Sequence, residues 1–537
     1  MIKQSHLKHM VRLLLIVIEY LYTSLMIRKH TSLKAQWLIP IFALCALLIT
    51  FESCKTKRSD MAQTIYKVNK NKAFNKVTPE GFEPVFVKVL AEKKKSLQNP
   101  VQITSFYEQN GNDPVLVLDH MAGEDLKTLA SYLKRSGEHG LDPKMFQADQ
   151  INNLVNKFYS KDAIKTTEEA YQTMAELEVM LANSLINYTN ALQYGVISPR
   201  KIYARYYTAT KRPDSASMSR VFSISNIKSF LDSVQPKSPQ YIALQKALKE
   251  NVQVPGKSAE ETDRILKVNL ERLRWKNKPS ESKYVMVNIP DFRLDVVENG
   301  KSTMNMKVCV GEGRNIDRAN NLVEYDESDK KDRPFSRETP QLNSMIYQVQ
   351  VNPVWNIPES IASKEIMVQA AQDPYYLSNK NIDVYQGGKL VDDPETIDWA
   401  SANKDDYSFK QRPGDDNALG KIKFLFKNNS SVYLHDTPAK LAFNKPMRAV
   451  SHGCVRVERP LDLAHALFGD GDNYNKIAQY MSMDKPDPSD IQLPKKTAVY
   501  LTYITCWADE SGTLQFRPDV YGLDIVLFGH LNKFLTA

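Results

Sequence analysis

The clearest candidates for chemistry in this 537-residue chain are a histidine and a cysteine within residues 431–459, SVYLHDTPAKLAFNKPMRAVSHGCVRVER. His435 follows a short apolar run, and Cys454 ends the tetrapeptide Ser-His-Gly-Cys. A cysteine attacks as its thiolate, and an ordinary thiol has a pKa of about 8.5, so a nearby imidazole or oriented amides must assist it. Cys454 is therefore a candidate nucleophile and His435 a candidate general base.

Gly453 adds a possible anion-binding backbone next to the cysteine. A residue without a Cβ permits close backbone approach, so the amides of Gly453 and Cys454 are candidates for an oxyanion hole. Residue types and spacing alone leave another interpretation open. A lone Cys–His pair is more often a buried thiol beside an unrelated ring.

The sequence around this pair predicts a β-rich domain. Alternating apolar residues predict strands at 284–289, 292–297, 303–310, 345–351, 421–426, 432–434 and 498–504. Asn299-Gly300 is typical of a hairpin turn, because both residues tolerate positive φ. Residues 316–333 are predicted to form a long loop. The Pro-, Asp-, Asn- and Gly-containing stretch 370–408 interrupts the pattern and indicates an inserted subdomain or lid.

The preceding part of the chain predicts helices. From Met174 to Leu192, apolar residues recur at steps of three and four, and Gly195 ends the run. Leucines at 126, 129 and 133, and at 266, 270 and 273, repeat this spacing. Such stripes are typical of the core of a helical bundle, and no catalytic constellation is visible among them. The chain is thus predicted to be an α+β protein.

The N-terminus predicts export from the cytoplasm. An apolar run, Trp37–Phe51, follows basic residues at 28, 29 and 34 and precedes Cys54. Cleavage before Cys54 would resemble lipoprotein processing, with Cys54 as the lipidated first residue and Met26 as the expected translation start. An uncleaved membrane anchor is the alternative. Either interpretation places the rest of the protein at the periplasmic face of the cell envelope.

Composition excludes several other functions. The net charge of +9 comes from 71 basic and 62 acidic residues that are interspersed, without a nucleic-acid recognition pattern. We therefore expect no nucleic-acid partner and at most weak attraction to anionic polymers. The five cysteines are scattered and show no zinc-ligand spacing, so neither a disulfide framework nor a metal site is predicted.

The sequence resembles the YkuD-type L,D-transpeptidases, in particular their large, scaffold-bearing members. A histidine followed by Ser-His-Gly-Cys resembles their signature, and QRPGDDNALG (411–420), LHDTP (434–438) and VNPVWNIPESIASKEI (351–366) extend the likeness. Upstream, FYEQNG, HGLDP and LQYGVISP are similar to their helical scaffold. The resemblance spans roughly residues 100–525.

With the patterns above, the resemblance implies a definite domain order. A signal segment occupies residues 1–54, a linker 55–99, a helical scaffold 100–275 and an L,D-transpeptidase catalytic domain 276–530. The insert at 370–408 corresponds to a substrate-capping subdomain. The peptidoglycan-binding module that large members often carry has no room here.

The resemblance also assigns roles to individual residues. It makes Cys454 the nucleophile and His435 the base, with the ring oriented by the backbone carbonyl of Asp436. Arg456 is expected to hold a substrate carboxylate, although structural pairing with Glu458 or an aspartate is an equally good interpretation. The expected supporting residues of the anion pocket are Ser451, His452 and Gly453.

The activity implied by the resemblance is peptidoglycan 3→3 cross-linking. Cys454 attacks the tetrapeptide bond between a diamino acid at position three and D-Ala, D-Ala leaves, and an amine of another stem resolves the thioester. No metal or organic cofactor is expected, and carbapenems should acylate the cysteine. Rival functions are L,D-carboxypeptidase activity, attachment of a protein to the wall, and non-catalytic wall binding by a lipoprotein.

Overall fold

The computed structural model describes residues 58–313, 337–483 and 487–533. The predicted signal segment with Cys54 and the predicted loop at 316–333 lie outside these residues. Helices fill the described chain as far as Arg274, and strands dominate from Lys283 onward. The α+β fold class predicted from the sequence is confirmed.

The first half of the described chain is a helical scaffold around one long central helix. Its helices are α1 (Asp60–Asn69), α2 (Pro79–Lys93), α3 (Pro100–Gln109), α4 (Val115–His120), α5 (Asp125–Lys134), α6 (Ala148–Tyr159), α7 (Thr167–Tyr194), α8 (Pro199–Ile202), α9 (Ser215–Ser219), α10 (Ile227–Val234), α11 (Pro239–Lys249) and α12 (Ala259–Arg274).

Helix α7 is the centre of this scaffold. Thr166 starts it by accepting a hydrogen bond from the backbone of Glu169 at 3.1 Å, and Gly195, at φ 76°, ends it. The apolar residues predicted to share one face, from Met174 to Leu192, are buried among the surrounding helices. The helix therefore serves packing, as its spacing predicts.

The prediction that residues 55–99 form a linker is wrong for the described residues 58–99. Residues 58–99 include α1 and α2, and Phe82, Phe86 and Val89 of α2 are buried in the scaffold core. The sequence carries the signals of this helix, because Thr78 accepts from the amide of Gly81 as an N-cap and Pro79 begins the first turn. The scaffold thus begins well before residue 100.

The second half is built on a large mixed sheet. Its strands and those of the smaller sheets are β1 (Lys283–Asn288), β2 (Arg293–Glu298), β3 (Lys301–Gly311), β4 (Leu342–Val351), β5 (Trp355–Asn356), β6 (Ile382–Gln386), β7 (Lys389–Leu390), β8 (Tyr407–Gln411), β9 (Ile422–Phe426), β10 (Leu434–His435), β11 (Ala449–Ser451), β12 (Val455–Val457), β13 (Ser489–Thr502), β14 (Cys506–Ala508) and β15 (Leu514–Phe516).

The large sheet has the strand order β11-β3-β12-β10-β9-β4-β13-β1-β2 and is curved, because β2 pairs with β3 as well as with β1. Asn299 and Gly300 form the predicted turn between β2 and β3, both with positive φ. One sheet face, which includes Val287, Leu434 and Val455, packs into the domain core. Helices α16 (Pro460–Phe468) and α17 (Asp472–Met481) also contribute to this core.

The insert is a separate small subdomain, which we call the cap and define as residues 355–411. It contains the four-stranded sheet β5-β8-β6-β7 and the short helices α13 (Glu359–Ile361), α14 (Met367–Gln372) and α15 (Tyr376–Asn379). Its own hydrophobic core includes Leu377, Trp399 and Phe409. The structured insert is therefore wider than the predicted 370–408.

A buried ion pair joins the helical scaffold to the β-rich second half. Arg272 of α12 lies 2.5 Å from Asp524 at the start of α18 (Leu523–Lys533), and both side chains are almost fully buried. Thr505 also donates to Asp524, at 2.7 Å. Within the described ranges, no helix is both long and apolar enough to span a membrane.

Candidate active site

Strands β10 and β12 bring the predicted histidine and cysteine to one face of the sheet. They pair in parallel, with Leu434 opposite Val455 and His435 opposite Arg456. Side chains alternate along a strand, so Leu434 and Val455 enter the core while His435 and Arg456 lie on the other face. Cys454 precedes Val455 and therefore shares the face of His435 and Arg456.

The backbone of the Ser-His-Gly-Cys turn is held by its own serine. Ser451 donates its hydroxyl to the carbonyl of Cys454 at 2.5 Å and accepts from the amide of Gly453 at 3.2 Å. Gly453 has φ 118°, a conformation that favours glycine. The Gly453 amide, predicted as an oxyanion donor, is thus engaged by Ser451 in this structure.

Thr339 and Tyr521 support the same turn through hydrogen bonds to its backbone and to the end of β3. Thr339 donates its hydroxyl to the carbonyl of Gly453 at 2.8 Å and accepts from the amide of Gly311. Tyr521 donates to the carbonyl of Gly311 at 2.6 Å and accepts from the amide of Thr339. Neither Thr339 nor Tyr521 is predicted from the sequence, because nothing in their local sequence marks a contact so distant along the chain.

A backbone hydrogen bond orients the ring of His435. Its Nδ1 lies 2.5 Å from the carbonyl oxygen of Asp436. A carbonyl only accepts, so Nδ1 carries the proton and Nε2 keeps its lone pair. The carboxylate of Asp436 accepts from the amide of Lys421 at 3.0 Å and from Nζ of Lys440 at 2.5 Å, which fixes this corner of the chain.

Burial keeps the imidazole of His435 uncharged. Desolvation and the positive charge of Arg456 lower the pKa of His435 to about 4, against the opposing effect of the carbonyls of Asp436 and Leu419. The ring is therefore neutral at neutral pH and has a free lone pair.

The thiol of Cys454 is also uncharged at neutral pH. The residue is partly buried, and desolvation raises the pKa of its thiol to about 11. Hydrogen bonding from Tyr433 and the charges of Arg456 and Lys423 oppose this rise. A neutral thiol and a neutral imidazole are the resting forms, so the proton has to leave the sulfur as the sulfur attacks.

The guanidinium of Arg456 has an unsatisfied hydrogen-bond donor. Its Nε is buried and has no hydrogen-bond partner. Burial lowers the pKa of Arg456, whereas Cys309, its register partner on β3, and Cys454 act in the opposite sense. Glu458 accepts from the amide of Lys307 at 3.2 Å, and the groups that act electrostatically on Arg456 are the two thiols and no described carboxylate. The alternative pairing of Arg456 with Glu458 or an aspartate is therefore not found among the described residues.

His452 points toward the cap. Its Nε2 lies 2.6 Å from Oε1 of Glu365, which belongs to a π-helical turn at Ala362–Ile366 of the cap. The same carboxylate oxygen lies 2.8 Å from Arg337, and Arg337 also binds Glu312 at 3.0 Å. No sequence pattern predicts a role for Glu365, Arg337 or Glu312 in this site.

The remaining described thiols are buried packing residues. Cys309 and Cys506 are 0% and 1% exposed, and burial raises the pKa of each. Across residues 58–313, 337–483 and 487–533, no group of three or more His, Cys, Asp or Glu side chains is arranged to hold a metal ion.

Comparisons with known proteins agree with this division of the chain. Residues 282–468 match the family model of the L,D-transpeptidase catalytic domain called YkuD, and residues 101–248 match that of the Scaffold domain. The chain is also similar to a Haemophilus influenzae protein named "Putative L,D-transpeptidase". The two are 27% identical over 372 residues, which cover 67% of this chain and 70% of the relative.

Proposed function

Because the chain belongs to the proteins that join a Scaffold domain to a YkuD-family L,D-transpeptidase catalytic domain, we propose that it forms 3→3 cross-links in peptidoglycan through a thioester on Cys454. The observation that carries this proposal is the parallel pairing of the strand that ends at His435 with the strand that directly follows Cys454, together with the hydrogen bond that keeps the proton of His435 on Nδ1.

The first step transfers the acyl group of a tetrapeptide stem to the enzyme. The sulfur of Cys454 attacks the carbonyl of the position-three diamino acid while Nε2 of His435 removes the thiol proton. The C–N bond then breaks, and His435 gives that proton to the leaving amine of D-Ala. The carbonyl of Asp436 keeps Nδ1 protonated and holds the ring in place throughout.

The cationic groups beside the thiol suit the donor. Lys423 and Arg456 both act electrostatically on Cys454, and Arg456 has a buried Nε without a partner. A guanidinium binds a carboxylate with two parallel hydrogen bonds. We therefore assign the free carboxylate of the donor's terminal D-Ala to Arg456.

In the second step, the side-chain amine of another stem attacks the thioester, which forms an amide and releases the sulfur of Cys454. Water in place of the amine would give a tripeptide, and a protein amine would give a protein attached to the wall. The cap contacts the Cys454 turn through Glu365 and His452 and would limit access of water to the thioester.

Incubation of the purified protein with tetrapeptide muropeptides separates these outcomes. Mass analysis should find released D-Ala and a dimer joined between two diamino acids. Tripeptide alone would show an L,D-carboxypeptidase, and products formed only with an added protein amine would show an attachment enzyme. Absence of any product would indicate a non-catalytic wall-binding protein.

The place of action is the periplasmic face of the envelope, with the protein anchored through lipidated Cys54. The support is the sequence pattern of basic residues, the apolar run and then Cys54. Stable anchoring needs more than one acyl chain, as a lipoprotein N-terminus provides. Mass analysis of the mature N-terminus should find lipidated Cys54, and Cys54→Ser should leave unprocessed or soluble protein. A mature form that begins only at Met1 or Met26 would contradict this.

A further inference from the structure

His452, the second histidine of the site, forms a base–carboxylate pair with the cap. Its Nε2 lies 2.6 Å from Oε1 of Glu365, and the two side chains are 31% and 37% exposed. A carboxylate only accepts hydrogen bonds, so Nε2 carries a proton and donates it, and in the corresponding tautomer of the ring the lone pair is on Nδ1. This imidazole is about one-third exposed and lies two residues before Cys454 in the same turn.

Among the described residues, a second carboxylate lies close to this pair. Glu365 and Glu312 share a single guanidinium, that of Arg337, at 2.8 and 3.0 Å. Tyr376 of the cap also faces Glu365, and burial together with that carboxylate raises the pKa of its hydroxyl. Among the described residues, two carboxylates thus contact one guanidinium at this place.

The charged groups that act on the thiol of Cys454 itself are cationic. Lys423 and Arg456 both act electrostatically on Cys454. His452, in the same turn as Cys454, instead contacts the carboxylate of Glu365. A donor with a free carboxylate and an acceptor with an ammonium group would therefore be attracted to different groups of the site.

The proton balance of the second step requires a base besides His435. A side-chain amine is protonated at neutral pH. Aminolysis of a thioester by an ammonium group gives an amide, a thiol and one additional proton. His435 takes one proton from the attacking nitrogen and returns it to the sulfur of Cys454. The additional proton, which the ammonium must lose before it attacks, needs another acceptor.

We propose that Glu365 and His452 form the binding site for the ammonium group of the acceptor, and that Nδ1 of His452 removes its first proton. Glu365 holds the cation and stabilises the imidazolium as it forms. Hydrolysis of the thioester does not need this step, because water arrives uncharged. The pair therefore favours cross-linking over hydrolysis. This inference rests on the proposed cross-linking function.

The test compares Glu365→Gln with Glu359→Gln in the full-length protein. Glu359 is a matched control, since it is an exposed carboxylate of the cap that pairs with Lys404 at 2.5 Å. With a tetrapeptide muropeptide as both donor and acceptor, Glu365→Gln should lower the dimer-to-tripeptide ratio at least tenfold. Single-turnover formation of the acyl-enzyme should change by less than about twofold, and Glu359→Gln should match the unchanged protein in both measurements.

Hydroxylamine provides the second readout, because it is uncharged at neutral pH and attacks thioesters without losing a proton first. Glu365→Gln should form the hydroxamate as fast as the unchanged protein. Raising the pH should restore its dimer formation by roughly tenfold per unit below the pKa of the acceptor amine, which is about 10. Glu365→Asp keeps the negative charge and should therefore retain part of the dimer-to-tripeptide ratio that Glu365→Gln loses.

An unchanged dimer-to-tripeptide ratio in Glu365→Gln would overturn the inference. So would an equal loss with the stem peptide and with hydroxylamine, since Glu365 would then only position the Cys454 turn. Failure of the unchanged protein to form an acyl-enzyme would instead refute the proposed function.

Discussion

His435 and Arg456 are register partners in the parallel pair β10–β12 and lie on the same face of the sheet. Arg456 thereby lowers the pKa of the His435 imidazole, in the same direction as burial. One strand pairing thus keeps the base neutral and also places a cation where a substrate carboxylate can bind. Both consequences can be tested with single substitutions.

Cys454→Ala should abolish turnover without unfolding the protein, because only the sulfur is removed from a partly buried position. His435→Ala should reduce turnover almost as far, by more than about a thousandfold, since residues that act as a unit lose function together. Release of D-Ala and thermal unfolding measure the two effects. Retained cross-linking in Cys454→Ala, with a loss in Cys309→Ala or Cys506→Ala, would relocate the site.

Alkylation of Cys454 by iodoacetamide should accelerate with pH well beyond the range of an ordinary thiol. Only the thiolate reacts, and burial raises the pKa of this thiol to about 11. Below that pKa, each pH unit raises the thiolate fraction about tenfold, so the rate should still be rising at pH 9. Mass spectrometry of samples quenched at successive times gives the alkylation rate at each pH. A plateau reached below pH 7 would show a preformed thiolate–imidazolium pair instead.

The strands and the Cys454 turn were predictable because their signals are local. Alternation fixes which residues of a strand share a face, and the spacing from His435 to Cys454 lies within one supersecondary unit. The Asn299-Gly300 turn also follows from two adjacent residues. The starts of the other predicted strands shift by one to three residues, but β13 begins at Ser489, nine residues before the predicted 498.

The partners of the turn were not predictable in this way. Glu365 reaches His452 from the cap, 87 positions away along the chain, and Thr339 reaches Gly453 across 114 positions. Such contacts depend on how the cap and the curved sheet pack, which no local spacing encodes. The error at 55–99 differs in kind. There the sequence indicates helices from about residue 78, and the N-cap of α2 is present, but the family resemblance begins only near residue 100 and places the boundary of the scaffold too late.

Arg456→Gln should lower kcat/KM for donors that have a free terminal carboxylate. Loss of a charge-assisted hydrogen bond costs about 1.5–3 kcal/mol, which corresponds to a fall in kcat/KM of roughly 10- to 150-fold. A donor with an amidated C-terminus should lose much less. Removal of the positive charge should also raise the pKa of His435 from its depressed value, so the acidic limb of the pH–rate profile should move to higher pH. Equal losses for both donors, with an unmoved limb, would show a purely structural role.

Removal of the cap should increase hydrolysis of the thioester. Asn356 and Lys410 are neighbours in the β5–β8 pair, so a short Gly-Ser link can replace residues 357–409 with little displacement of the flanking chain. The predicted insert, 370–408, lies within this deletion. The ratio of tripeptide to dimer should rise, or turnover should be lost, because lids exclude water from reactive intermediates. An unchanged rate and product ratio, with the remaining protein folded, would show that the cap has no such role.

Carbapenems should acylate Cys454 and no other described cysteine. A β-lactam carbonyl is a strained amide, so a sulfur placed to attack the donor carbonyl can open the ring in the same geometry and form a thioester. Cys309 and Cys506 are buried, and burial raises the pKa of both thiols, so they should react far more slowly. Intact-protein mass spectrometry should show one adduct, and peptide mapping should place it within residues 451–456. Prior alkylation with excess iodoacetamide, or Cys454→Ser, should remove the adduct. A clean spectrum from active, reduced protein would count against the mechanism, and an adduct on another residue would move the nucleophile there.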